Sequence, residues 1–128
     1  MSGGKSDYAA WLAKAEDDVL VIESIVSAPR VLWEAVAFHA QQAAEKFLKG
    51  LLAGKGTQPP KTHDLVVLVE LASKHDPSLA QFQDHARTLN SMYISSRYPS
   101  TPSPTEAQAR QCVEIAKQIR AAVLKNSP

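Results

Sequence analysis

Trp33-Glu34-Ala35-Val36-Ala37-Phe38-His39-Ala40-Gln41-Gln42-Ala43-Ala44-Glu45-Lys46-Phe47-Leu48-Lys49-Gly50-Leu51-Leu52-Ala53 is the stretch that decides the fold class. Trp33, Val36, Ala40, Ala43, Ala44, Phe47 and Leu51 recur at three- and four-residue spacing, which gathers them on one face of an α-helix. The spacing predicts a helix from Pro29 or Arg30 to Ala53. Proline suits a first helical turn, and Gly54 and Gly56 suit a C-terminal stop.

The same period extends in both directions. Upstream, Tyr8, Trp11, Leu12, Ala15, Val19, Ile22 and Val26 form one apolar stripe of a first helix from about Asp7, with Ser6 or Asp7 as its cap. Its acidic run Glu16-Asp17-Asp18 fans around the helix at roughly 100° per residue, so two of the three belong on a solvated face. Downstream, Thr62 or Asp64 caps a short helix carrying Leu65, Leu68, Val69 and Ala72. Asp76-Pro77-Ser78 then opens a fourth helix, Ser78 to Ser95, with Leu79, Phe82, Ala86, Leu89 and Met92 inward. The proline- and serine-rich segment Ser96 to Pro104 reads as loop. Thr105-Glu106 opens the last helix, which packs Ala109, Cys112, Val113, Ala116, Ile119 and Val123. Short connections make neighbours antiparallel. The expectation is all-α: a four- to five-helix up-and-down bundle over residues 7–126, after a flexible tail of residues 1–6.

Composition narrows the function classes. A chain of 128 residues fits one domain, and 45% hydrophobic residues suffice for a core. A formal charge of +1 lacks the Lys and Arg excess of a strongly basic nucleic-acid binder. The single cysteine, Cys112, forms no internal disulfide and supplies no multi-thiolate zinc site. No apolar run reaches the roughly 20 residues of a membrane helix. The start, Met1-Ser2-Gly3-Gly4-Lys5-Ser6, lacks the apolar core of a secretory signal, and a cytoplasmic location is expected. It imitates the end of a phosphate-binding loop without the first glycine or a preceding strand. No two histidines have zinc-helix spacing, so neither a metal nor a cofactor is expected.

Three groups of polar residues remain once the core is built. On the second helix, His39, Gln42, Lys46 and Lys49 fall within roughly 80° of one another, away from the Val36–Phe47–Leu51 stripe. They read either as a seat for an anion or acidic partner, or as a solvated face with Gln42–Lys46 and Glu45–Lys49 as weak pairs. In Lys61-Thr62-His63-Asp64-Leu65, capping explains Thr62 or Asp64, while Lys61 and His63 beside a helix N-terminus also suit an anion. In Tyr93-Ile94-Ser95-Ser96-Arg97-Tyr98-Pro99, Tyr93, Arg97 and Tyr98 suit either a stacked base and a phosphate or a loop pinned to the bundle.

These groups resemble a family pattern. Phe38 to Leu52 resembles the second-helix motif of HEPN domains; Lys61 to Leu65 is similar to the second block, and Leu89 to Tyr93 with Arg97-Tyr98-Pro99 to the third. The blocks come in the family's order within Asp7 to Leu124. The resemblance implies a helical bundle that commonly forms homodimers, often beside a minimal nucleotidyltransferase protein, with nucleotide binding proposed. Carried over by position, Gln42, Lys46, Lys49, His63, Tyr93, Arg97 and Tyr98 are the implied ligand-binding residues.

Many relatives cleave RNA through an arginine followed, after four to six residues, by histidine. Here Arg30 and His39 are separated by eight residues, and no histidine follows Arg87 or Arg97. The departure argues against catalysis. A non-catalytic binding module is expected first, an RNA-cleaving domain with a divergent site built on His63, Tyr93 and Arg97 second, and a purely structural dimerisation domain third.

Overall fold

The computed structural model describes residues 4–95 and 99–128, and among these it contains no strand. In order come α1 (Gly4–Val26), α2 (Trp33–Gly54), α3 (Leu65–Ser73), a 3₁₀ turn (Pro77–Phe82), α4 (Gln83–Ser95) and α5 (Glu106–Lys125). The architecture is the expected all-α bundle. α2 is its axis. It is the one helix that packs against each of α1, α3, α4 and α5. Its buried positions are accordingly spread around the helix, from Val36 and Ala40 through Phe47, Leu48, Leu51 and Leu52. The larger of these, Val36, Phe47, Leu48, Leu51 and Leu52, each contribute about 1.5–3 kcal/mol by leaving water.

Where α1 crosses α2 the approach is close. A Cβ on Gly50 would stand 2.6 Å from Leu12 Cδ1 and 3.1 Å from Trp11 Cβ, so glycine is what lets the helices meet.

The helix ends follow local chemistry. Asp64 caps α3 by accepting from the Val66 amide at 2.9 Å, and Thr105 caps α5 in a reciprocal box with Gln108. Asp76 accepts from the Ser78 amide at 3.0 Å and from Asn126 Nδ2 at 2.9 Å, tying the α3–α4 corner to the end of α5. Those bonds, the Asn126 one above all, hold its carboxyl below the usual carboxylate range.

Several sequence-based boundaries move. α2 begins at Trp33 rather than Pro29 or Arg30. The amides of Ser27 and Ala28 bond back to Glu23 and Ile25 to close the corner, and Leu32 before α2 is not helical, with φ −91° and ψ 89°. α1 begins at Gly4, earlier than Asp7. The stretch from Pro77 opens as a tight 3₁₀ turn and becomes α-helical only at Gln83. Val26, expected in the core stripe, is 37% exposed at the last residue of α1, where the chain turns. Of the acidic run, Asp17 is exposed, Glu16 half-buried and Asp18 buried, which fits the expectation that two of the three face solvent. No helix among the described residues is long and apolar enough to cross a membrane.

Candidate functional site

Two buried carboxylates organise the polar side of α2, one supplied by α1 and one by α2 itself. Asp18 of α1 accepts from Lys46 Nζ at 2.7 Å and from His39 Nδ1 at 2.9 Å. Lys46 lies seven residues, two helical turns, beyond His39, so both reach the same point on α1. Glu45 takes Lys49 Nζ at 3.0 Å on one oxygen and His63 Nδ1 at 3.0 Å on the other. Each carboxylate therefore holds one lysine and one histidine. A carboxylate withdrawn from water is tolerable only with such partners.

Amides extend the Glu45 group. Gln41 is wholly buried; its Nε2 reaches Glu45 Oε1 at 3.4 Å and the His63 carbonyl at 3.3 Å. Gln42 donates to Gln41 Oε1 at 2.6 Å. The loop that carries His63 is fixed from the far side as well. Asn90 of α4 accepts from the Leu65 amide at 2.9 Å and donates to Asp64 at 2.9 Å.

Rings connect the two histidines. His63 stacks on Tyr93 at 4.9 Å, Tyr93 stacks on Phe38 at 6.1 Å, and Phe38 meets His39 edge-on at 5.5 Å. Both imidazoles use Nδ1 on a carboxylate. That orients the ring and leaves Nε2 as an acceptor when the ring is neutral and a donor when it is protonated. The arrangement can present two oriented imidazoles and the Lys46 ammonium to an anion. Phe38 also borders a recess of about 610 Å³ at the start of α2, which Arg30, Trp33 and Ser103 help to line.

The HEPN domain model matches residues 8–126. This chain belongs to the HEPN family. Neither the curated proteins nor the solved structures yield a match to it.

In this HEPN domain the expected site residues have unequal fates. His39, Gln42 and Lys46 are half-buried along one edge of α2, and His63 stands beside them with its side chain 58% exposed. Lys49 was expected on the same open face, and there the structure differs. Its side chain is 8% exposed, its ammonium is taken by Glu45, and it lies 5.6 Å from the Trp11 ring centre under α1. Lys61 is exposed, with no partner among the described contacts. Tyr93 is half-buried in the ring row. Arg97 and Tyr98 lie outside the described residues.

Sequence reasoning missed Asp18 and Gln41 and read Glu45 only as a weak pair with Lys49. A signal existed for two of them. Asp18 falls on the Ala15–Ile22 side of α1, and Gln41 on the Ala37–Ala44–Leu48 side of α2, positions where an apolar residue is the norm. A polar residue inside an apolar stripe needs a partner, and here that partner is the site.

Cys112 plays no part in it. Burial pushes its thiol up to about 11. Among the described residues no three His, Cys, Asp or Glu side chains are grouped to hold a metal ion.

Proposed function

We propose that this HEPN domain is a non-catalytic binding module for an anionic, nucleotide-like ligand, working as a homodimer beside a minimal nucleotidyltransferase partner. The reading of the ligand site rests on one observation: two histidines, joined through Tyr93 and Phe38, are each anchored at Nδ1 by a buried carboxylate next to a lysine. Such anchoring leaves Nε2 of both rings and the half-exposed Lys46 ammonium to meet phosphate oxygens. The Phe38–Tyr93–His63 rings offer flat surface to a base. Lys49 is set aside as structural, since its charge is spent on Glu45. Arg97 and Tyr98, four and five residues after Tyr93, are carried into this reading by the family resemblance alone. The dimer and the nucleotidyltransferase partner come likewise from the family.

Calorimetric titration with ATP and related nucleotides tests it. Wild type is expected to bind, and the Lys46→Ala, Arg97→Ala double variant to lose about tenfold or more in affinity, the size of one lost charge-assisted contact. Equal affinities for the two proteins reject the nucleotide ligand.

The imidazole–carboxylate pairs also favour a second reading, because an oriented imidazole is a common general acid or base. In that reading His63 and Tyr93 belong to an RNA-cleaving site that lacks the family's arginine-to-histidine motif. Structured RNA left intact at high protein concentration rejects it.

A further inference from the structure

We propose that the trough between α1 and α5 receives an amphipathic helix of a partner protein, one that carries a lysine or arginine within its apolar face. The inference goes beyond the ligand site and does not depend on it. α1 and α5 each pack on α2 and leave between them a recess of about 890 Å³. Its floor is apolar, with Ile22, Val36 and Ala116 nearly or wholly buried. Trp33 lines this recess and also the smaller one at the start of α2, so the trough runs on past it. Of the six large hydrophobic side chains left exposed among the described residues, three stand along it: Leu20 at 59%, Val26 at 37% and Leu32 at 51%. Scattered exposed leucines are ordinary, whereas a set bordering one apolar trough marks a contact surface.

The register of the two walls decides which charges are left over. α5 runs antiparallel to α1. Glu16 accepts from Arg120 Nε at 2.7 Å. A Cβ on Gly54 would meet both Tyr8, at 3.0 Å, and Pro128, at 3.2 Å, so the start of α1 lies beside the chain that leaves α5. Glu23, seven residues beyond Glu16, therefore comes level with Val113 and Glu114 on the opposite wall. Glu23 and Glu114 both border the recess, are exposed, and have no ion pair among the described residues. The cations at the two ends are already engaged. Arg120 is held by Glu16, and Arg110 by Glu106 at 2.8 Å and over the Trp33 ring at 4.8 Å. Lys117, one turn from Glu114 toward Arg120, is the remaining charge. The middle of the trough thus keeps two carboxylates facing each other and one ammonium a turn away.

That pattern specifies the occupant. A cation set between Glu23 and Glu114 answers both carboxylates at once, which no group among the described contacts does. Apolar side chains one turn to either side of that cation would meet Leu20 and Val26, and an acid one turn along would meet Lys117. Neighbours three or four residues apart on one face are what a helix presents. From Arg120 to Arg110 the wall runs roughly 15 Å, about three turns of an incoming helix. A nucleic acid fits poorly here, since its phosphates would meet the two carboxylates.

Fluorescence anisotropy with a labelled synthetic helix of about 18 residues tests the proposal. Its apolar stripe is leucine, and two versions differ only in the central stripe residue, lysine or glutamate. The lysine peptide is expected to bind wild type about tenfold more tightly than the glutamate peptide, and Glu23→Lys with Glu114→Lys to reverse that preference. Leu20→Asp is expected to weaken the lysine peptide about tenfold, with an unchanged helical circular-dichroism spectrum. In nitrogen NMR the Trp33 indole resonance is expected to move on peptide addition, and that of Trp11, at the α1–α2 crossing, to stay fixed. Equal affinity for both peptides, or none for either at about 1 mM, overturns the proposal. So does a preference that survives the charge reversal, or peptide binding that Leu20→Asp leaves intact. A second copy as the occupant is a further contrary result: sedimentation velocity would then show a wild-type dimer that Leu20→Asp dissolves, without peptide binding. ATP calorimetry reads the polar edge of α2 and not this trough, so the two readings fail independently.

Discussion

Asp18 and Glu45 solve the same problem in opposite ways. Both are buried, and both hold a lysine and a histidine. Around Glu45 the lysine is the buried partner and the histidine the exposed one, at 8% and 58%. Around Asp18 the two partners are similarly half-exposed, Lys46 at 26% and His39 at 29%. Glu45 and Lys49 therefore serve the fold, while Lys46, His39 and His63 stay partly open to solvent. Charge alone does not separate the two lysines. What covers them does.

The comparison breaks most visibly at Lys49. Lys49→Ala removes a buried ammonium from a buried carboxylate and is expected to lower unfolding free energy by about 3–5 kcal/mol in urea denaturation, while Lys46→Ala, whose ammonium is partly solvated, costs about 1–3 kcal/mol. Equal losses would erase the distinction. Asp18→Asn comes next, at about 1–3 kcal/mol, since it weakens two charge-assisted bonds and leaves the shape intact. It is also expected to free the His39 ring, detectable as altered imidazole resonances.

Away from both carboxylates, Cys112 supplies a pH-dependent control. Its thiol titrates near 11 in the fold against 9.0 for a solvated one, so the unfolded chain loses that proton first. The stability tied to the neutral thiol is whole below about pH 9 and is lost as pH rises toward about 11, on the order of 2–3 kcal/mol. Cys112→Ala is expected to flatten that alkaline decline, read as denaturation midpoints from pH 8 to 11. The smallest effect belongs to the α3 cap that positions the loop after His63. Asp64→Ala is expected to cost about 1 kcal/mol in thermal denaturation and to leave α1 and α5 untouched.

Much of the fold was legible because a helix period is written into every strongly apolar segment. α2, α3 and α5 are bounded within a few residues of their sequence signals: Gly54, Asp64 and Thr105 sit at the expected ends. The start of α2 was not legible. Proline after Ala28 fits a first turn as well as it fits a corner, and only the packing of α1 on α2 decides between them. The site was legible in part. The helical wheel put His39, Gln42, Lys46 and Lys49 on one side, yet a wheel gives an angle and not what stands over it. Trp11 of α1 covers Lys49, while the neighbouring edge carrying Gln42 and Lys46 is left half-open. Asp18 could not be chosen over Asp17 or Glu16 from the acidic run alone. Its selection depends on the crossing of α1 and α2, which the close approach at Gly50 fixes.

In the proposed binding mode one anion meets the His39–Lys46 edge and His63 together. Nitrogen NMR of the histidine side chains during addition of ATP tests it most directly, because His75 and His85 lie elsewhere and serve as internal references. The Nε2 resonances of His39 and His63 are expected to move with a common saturation curve while those of His75 and His85 stay fixed. Movement of all four alike, or of neither His39 nor His63, would contradict it.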